Sequence, residues 1–278
     1  MSETDRLAAI LPLMACPTCR NPLRLDGQAL QCAECAVKYP LYHGRPAFLP
    51  DGAEPRLMSP EHVSNQPPAS VFDWLVWQKG WVLNLGAGGT VSKLDHVVEV
   101  EYSYFRNTDV AADAHRLPFG NNVFDAVVTF NTFEHLYDPN QAASEVYRVL
   151  KPGGRLILHT AFLQPVHEAP HHYYNTTEYG LRRWFRDFDI REVSVSENFN
   201  PAHVFAWLAS EVLRETAHAE GQEARQKLAS STLESWASLW ENGTLRASNP
   251  LWQMLGRLPQ DVQKRFAAGF QLDAVKPT

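Results

Sequence analysis

All four cysteines of the chain fall within its first 35 residues, as Cys16-Pro-Thr-Cys19 and Cys32-Ala-Glu-Cys35, and this pairing constrains the N-terminal region more than any other feature. Each pair makes a tight knuckle on which two thiolates converge, and the 12 residues between the pairs are enough for a hairpin that brings the knuckles together. Four soft sulfur ligands in a tetrahedron suit zinc, and a segment this short cannot fold on a hydrophobic core of its own. The spacing therefore predicts a structural zinc site on Cys16, Cys19, Cys32 and Cys35, with disulfides or iron as the competing readings. Four thiolates fill the coordination shell, so no open position is left for metal-assisted chemistry, and no cysteine remains elsewhere to serve as a catalytic thiol.

Residues 1–50 thus read as a zinc-binding module. Residues 51–70 read as a linker, because Pro50, Pro55, Pro60, Pro67 and Pro68 break any regular element across this stretch. From 71 onward the pattern changes. Val71 to Gln78 suits a short helix with Trp74 and Trp77 facing inward, and Trp81-Val-Leu-Asn-Leu85 reads as a buried strand that runs into Gly86-Ala-Gly88-Gly89-Thr90. Apolar runs recur at 96–101, 109–111, 124–129 and 155–161, the last two continuous enough for strands covered on both faces. Between those two, Gln141 to Leu150 carries one helical stripe, stopped by Lys151-Pro-Gly-Gly154. A helix over 177–185, an exposed strand over 190–196, a helical insert over 203–266 and a last strand over 269–275 complete the reading. Alternating helices and strands predict an α/β fold with a doubly wound parallel sheet.

The formal charge of −6 and the absence of a Lys/Arg run disfavour nucleic acid as a partner, since a phosphate backbone needs a basic surface. No apolar run reaches the length that spans a bilayer, and Glu3 and Asp5 stand where a secretory leader would be basic; a cytoplasmic location is expected.

The glycine turn decides between nucleotide cofactors. A dinucleotide fingerprint needs a third glycine where Val91 stands, and too few residues separate Thr90 from the next strand for a helix to point its N-terminus at a pyrophosphate. S-adenosylmethionine has no phosphate. Its site needs close backbone approach and a carboxylate at the end of the second strand for the two ribose hydroxyls, a position held by Glu101, while Asp113 beyond the third strand is placed to read an adenine edge. Each acid also has a bland reading, Glu101 as a surface charge and Asp113 as a helix cap.

With these residues in place, 81–161 resembles the class I methyltransferases of the type 11 group. Val82-Leu-Asn-Leu-Gly-Ala-Gly-Gly89 is similar to the family's first motif, Ala112-Asp-Ala-His-Arg-Leu-Pro-Phe119 to its adenine loop, Asn131-Thr-Phe-Glu-His135 to the loop beside the methyl donor, and Val149-Leu-Lys-Pro-Gly-Gly154 to its turn into strand five. The resemblance implies a Rossmann-like sheet whose last strand runs antiparallel, and a donor site on Asn84, Gly86, Ala87, Gly88, Gly89, Glu101, Asp113, Ala114 and Asn131. Asn84 stands where an acid is common, and Thr90 where a third glycine is. The first 50 residues resemble the Trm112-like zinc domain in Leu13-Met-Ala-Cys-Pro-Thr-Cys19 and Tyr39-Pro-Leu-Tyr-His-Gly-Arg-Pro46; relatives of that module activate methyltransferases, which implies a scaffolding or docking role here.

Methyl transfer is an in-line displacement, so the protein supplies alignment and, for a hydroxyl acceptor, a base. His135, after strand four, and His172, in the run His167-Glu-Ala-Pro-His-His-Tyr-Tyr174, are the candidates on the rim at the strands' carboxyl ends. The expected activity is methylation of an O or N atom of a small molecule or glycan, against an RNA methyltransferase or a non-catalytic partner protein. Trp207, Trp236, Trp240 and Trp252 of the insert read as core, or as a cap over an acceptor pocket.

Overall fold

The computed structural model describes residues 3–50, 53–196, 199–268 and 270–271. Two compact units separate, one formed by the chain up to 162 together with 173–193, the other by 163–172 together with the chain from 194 onward.

In the first unit, α1 (Glu3–Ile10) precedes a four-stranded antiparallel meander of β1 (Leu23–Asp26), β2 (Ala29–Cys32), β3 (Lys38–Tyr42) and β4 (Arg45–Phe48). Its last hairpin closes through His43 and Gly44, both at positive φ (52° and 79°), the two-residue turn whose twist matches that of paired strands. After α2 (Ala69–Val76) come β5 (Val82–Leu85), β6 (Val97–Glu101), β7 (Val110–Ala112), β8 (Phe124–Phe130), α3 (Pro139–Val149), β9 (Leu150–His159) and α4 (Glu178–Trp184). β5 to β9 are all parallel, in the spatial order β7-β6-β5-β8-β9, so the chain starts mid-sheet and winds outward in both directions. This is the expected Rossmann-like α/β sheet.

The meander is not a separate body. β4 pairs in parallel with β7, Ala47 opposite Ala111 and Phe48 opposite Ala112, which makes one nine-stranded sheet. A short bridge between Met14 and Phe119 and the bond from Ala15 N–H to the Pro118 carbonyl tie the first cysteine knuckle to the loop beyond β7. The two segments also share a core. Leu7, Ile10, Leu13 and Leu30 pack in the same cluster as Leu83, Leu85, Val98 and Val100 of the sheet and Val146 of α3. The opposite sheet face carries a smaller cluster, where Val82, Val97 and Val128 meet Leu75 of α2.

Several expectations need correction. Trp77 does not face inward: α2 turns so that Leu75 is buried while Trp77 is 81% exposed, and Trp74 is half-buried under the Arg155 guanidinium, 5.0 Å from its ring centroid. Residues 190–196 alternate in sequence but form no strand. Alternation needs a partner edge to become a strand, and these residues have no ladder among the described residues. Lys151 to Gly154 do not intervene between helix and strand; β9 begins at Leu150 and runs through them with an irregularity opposite Phe124 and Ala126. The expected last strand over 269–275 lies almost wholly outside the described residues, and Phe270 and Gln271 are not in a strand.

The second unit holds α5 (Pro201–Glu220), α6 (Gln222–Ala229), α7 (Leu233–Glu241), α8 (Gly243–Ser248), α9 (Pro250–Gly256) and α10 (Gln260–Phe266). Its apolar core is thin, with Leu228, Leu239, Met254 and Leu258 buried, and Glu211 holds Arg214 and Arg265 at 2.6 and 2.8 Å. Trp240 is 77% exposed, whereas Trp236 and Trp252 stack 6.5 Å apart. Among the described residues no helix is long and apolar enough to cross a membrane.

One buried ion pair fixes the N-terminal helix to the sheet. Arg6 of α1 donates through Nε and Nη2 to both carboxylate oxygens of Asp109 (2.8 and 2.7 Å) and also reaches the Asp95 and Val97 carbonyls at the start of β6. The Asp109 side chain is fully buried, with Lys93 and the Glu99 N–H as its other donors. Removing one member of a buried pair strands the other charge. We expect Arg6→Met to cost about 3 kcal/mol or more in denaturant unfolding; a cost under about 1 kcal/mol, the level of an exposed pair, would show that the contact is incidental.

Candidate functional site

The four cysteines meet. Cys16 Sγ lies 3.5 Å from Cys35 Sγ, and Cys19 Sγ lies 3.3 Å from Cys32 Sγ and 3.5 Å from Cys35 Sγ, none at the bonding distance of a disulfide. All four sulfurs fall within 4.8 Å of one another, close to the edge of roughly 3.8 Å that a tetrahedron with metal–sulfur bonds of about 2.3 Å requires. The donor set and its spacing fit a closed zinc site. Arg20, at φ 64° on the first knuckle, donates to the Leu117 carbonyl (2.9 Å) and to Glu145 (3.0 Å), and Glu145 in turn accepts from the Leu117 N–H (2.8 Å). The knuckle therefore braces the loop that follows β7.

At the carboxyl ends of the parallel strands, the turn after β5 runs with Gly86 at φ 69° and Gly88 at φ 56°, conformations that side-chain-bearing residues rarely adopt. Gly86 and Ala87 N–H groups both donate to the Val100 carbonyl (2.9 and 3.1 Å), drawing the turn across the end of β6. Glu101, the last residue of β6, accepts from the Gly88 N–H at 3.0 Å and from the Tyr102 N–H at 2.7 Å. The acid and the glycine turn are thus brought together.

No helix follows this turn. Its place is taken from upstream, by the stretch expected to be a plain linker. Ser64 Oγ accepts from the Gly89 N–H (2.9 Å), Asn65 Nδ2 donates to the Gly86 carbonyl (2.9 Å), and Gln66 spans the Gly89 carbonyl (3.0 Å) and the Val91 N–H (3.2 Å). A Cβ on Gly89 would fall onto the His62 carbonyl. Sequence reasoning missed this strap; a proline-broken, polar stretch carries no periodic signal that says what it lies on.

Asp113, directly after β7, accepts from the ring Nδ1 (2.5 Å) and the backbone N–H (2.9 Å) of His115. Burial opposes its charge, but these two bonds outweigh it and hold the carboxyl below its usual range. His115 Nε2 accepts from the Asp138 N–H, which puts the ring proton on Nδ1, and Tyr137 stacks on the ring at 3.9 Å. Burial and Asp113 raise the Tyr102 hydroxyl, so this exposed tyrosine stands near Asp113. Ala114 is buried beside these groups. Asn131, at φ 51° after β8, leaves a buried Oδ1 with no hydrogen-bond donor, and its neighbour Thr132 packs against Gly86. An orphaned acceptor at this point is what a ligand N–H would satisfy.

His135 ends a 3-10 turn (Phe133–His135) and is half-buried. Glu134 beside it is fully buried; its carboxylate accepts from Thr160 Oγ1 (2.9 Å) and its carbonyl from the Tyr173 and Tyr174 N–H groups (2.8 and 3.1 Å). This acid went unselected although it sits within the quoted loop. His172 belongs to the second unit, where its Nδ1 accepts from the His167 N–H (3.2 Å) and the His167 ring lies 5.5 Å from Trp207.

Asn84 lies within β5, two residues before Gly86. From the middle of the sheet its Nδ2 donates to Glu99 Oε2 at 2.7 Å. Burial pushes Glu99 up to about 8, reinforced by Asp109 and opposed by Asn84, Lys93 and Arg6. A carboxyl raised in the folded state adds stability that is fully present below its unfolded value and is lost as pH rises through the folded one. We expect the stability of the native chain, measured against Glu99→Gln by denaturant unfolding, to fall between pH 4.5 and about 8. A difference constant across that window would show that Glu99 is ionised throughout.

Residues 89–158 match the family model described as "Methyltransferase domain", and residues 8–42 match the one described as "Trm112p-like protein". A ubiquinone/menaquinone biosynthesis C-methyltransferase UbiE of Haemophilus ducreyi is 38% identical over 72 residues, 26% of this chain and 27% of that protein, and a demethylmenaquinone methyltransferase of Streptomyces avermitilis is 46% identical over 48 residues, 17% and 21%. The chain thus spans about a quarter of the length of these relatives. Among solved structures, a Haloferax volcanii complex of the Trm112 methyltransferase activator with a partner described as a methyltransferase aligns at TM-score 0.33 and 18% identity, covering 49% of this chain and 81% of that one. The chain thus carries, in order, a segment similar to Trm112p-like proteins and a segment similar to methyltransferase domains.

Proposed function

We propose that the chain is an S-adenosylmethionine-dependent methyltransferase that methylates an O or N atom of a small molecule or glycan. The observation that carries this reading is the Glu101 carboxylate seated on the Gly88 N–H, an acid at the end of the second parallel strand against a glycine turn at the end of the first. That pairing suits a ribose diol and offers no seat for a phosphate. The turn from Gly86 to Gly89 admits the amino-acid part of the donor, Asp113 and Ala114 border the adenine, and the Asn131 Oδ1 accepts from the ligand. Asn84 supports the turn from within the sheet. When bound, S-adenosylmethionine supplies an activated methyl group open to in-line attack. His135 takes the proton of an acceptor hydroxyl; His172, the other candidate, lies in the second unit against His167. Cys16, Cys19, Cys32 and Cys35 hold a structural zinc ion whose role is to stiffen the knuckle that braces the loop after β7.

Two specific observations favour other readings. The Haemophilus relative is named a C-methyltransferase, so carbon is the alternative acceptor atom, which NMR of the labelled methyl carbon in the product distinguishes. The strap bound to the glycine turn favours a non-catalytic partner protein instead.

Titration calorimetry tests the donor assignment. We expect micromolar S-adenosylmethionine binding, weakened at least about tenfold by Glu101→Ala; no binding at millimolar donor supports the non-catalytic partner, and unchanged affinity in the variant removes Glu101. For His135→Ala we expect donor affinity to stay and turnover to fall roughly 10²- to 10⁴-fold; intact turnover excludes it as the base. Metal analysis should find one zinc per chain, and stripping it with a chelator should lower both the melting temperature and donor affinity, because the module shares the sheet's core. A chain that melts unchanged without metal would refute the structural role.

A further inference from the structure

Behind the glycine turn, on the sheet face that the absent helix would have covered, lies a cavity of about 250 Å³. Of the five polar residues that line it, Asn84, Thr90 and Glu99 are each at least nine-tenths buried. Asn84 Oδ1 and Thr90 Oγ1 have no hydrogen-bond partner, and the single side-chain bond of Glu99 comes from the Asn84 amide. Orphaned buried acceptors are rare because each one loses its water without replacement. Arg6 and Lys93, the cations that act on Glu99, are both paired with Asp109, and among the described residues Glu99 has no ion pair of its own. The rest of the wall is apolar: Phe72, Leu75, Leu94 and Val97. The rim is marked by Gln66 and Ser92, which are exposed.

We propose that this cavity is a binding site for a small organic ammonium ion, its three N–H donors taken by Glu99, Asn84 Oδ1 and Thr90 Oγ1 and its hydrocarbon body by Phe72, Leu75, Leu94 and Val97. An anion is disfavoured, since the ionised Glu99 would repel it and Asn84 Oδ1 offers it no donor. A neutral alcohol donates to at most one of the three oxygens and leaves Glu99 in the protonated form that burial holds up to about 8, whereas an ammonium ion beside the carboxyl favours its ionised form. The volume sits just under the roughly 300 Å³ at which drug-sized ligand sites begin, which limits the guest to one ring or a short chain. The Phe72 ring face adds attraction for a cation close to it. This site is distinct from the donor site, which lies at the strand ends on Glu101 and Asp113, and it stands whether or not the chain transfers methyl groups.

Benzylammonium is the probe, with benzyl alcohol and benzoate as controls, titrated into the full chain by calorimetry in the presence of saturating S-adenosylhomocysteine, and again without it. We expect benzylammonium to bind at least about tenfold tighter than benzyl alcohol, a difference of about 1.4 kcal/mol, with benzoate undetected and affinity independent of the nucleoside. Glu99→Gln should erase the preference for the cation while retaining a cooperative melt. Leu94→Trp, which fills the space and leaves the acid in place, should abolish binding of both aromatic probes. A crystal soaked with 4-bromobenzylammonium should show bromine anomalous signal beside Phe72. Equal affinity for alcohol and ammonium, undiminished cation binding in Glu99→Gln, or bromine located elsewhere overturns the proposal.

Discussion

The link between β5 and β6 is too short for a helix, and the rest of the first unit follows from that constraint. Parallel neighbours ordinarily need a crossover of a dozen or more residues, and the helix in it covers one sheet face. Here only residues 86–96 make the crossing, without a helix. The exposed face must be covered by other means. α2 buries Leu75 against Val82 and Val97, and the strap from His62 to Gln66 closes over the glycine turn through side chains that supply what a helix N-terminus would have supplied through its backbone. The covering is incomplete, and a mostly apolar cavity with a buried acid in its wall is left beneath it.

The opposite face is solved differently. The cysteine module closes it in cis: β4 extends the sheet beyond β7, and Leu7, Ile10 and Leu30 enter the same core as Leu83 and Val100. An edge strand that would offer unpaired backbone groups is thereby capped by the chain's own meander. Arg6 and Arg20 bind the two parts at either end, one to a carboxylate buried under β6, the other to the loop that carries Asp113. Sulfur geometry at the N-terminus and the geometry of the loop after β7 are parts of one packed structure.

The parallel strands were legible because each is a continuous apolar run bounded by turn residues, and the order of Gly86, Glu101, Asp113 and Asn131 along them followed from that. The absent helix was legible too, as a count of residues between Thr90 and the next strand. The strap was not, because Ser64, Asn65 and Gln66 act through side-chain hydrogen bonds to a partner remote in sequence. Trp77 misled because hydrophobicity alone does not fix which face of a two-turn helix is covered. The 190–196 alternation misled because a strand is defined by its neighbour. Asn84 was assigned from its place in a motif; its side-chain amide bonds across the sheet to Glu99, a contact the motif does not announce.

The central claim is that the glycine turn, strapped from above and faced by Glu101, is the seat of a sulfonium nucleoside. A crystal structure of the full chain grown with S-adenosylhomocysteine measures this most directly. The account requires the ribose hydroxyls within hydrogen-bond distance of the Glu101 carboxylate, the adenine beside Asp113, and a donor from the ligand on Asn131 Oδ1. Crystals grown at millimolar nucleoside that show the turn still covered by the strap, with the Glu101 carboxylate still on the Gly88 N–H and no nucleoside beside it, would contradict it.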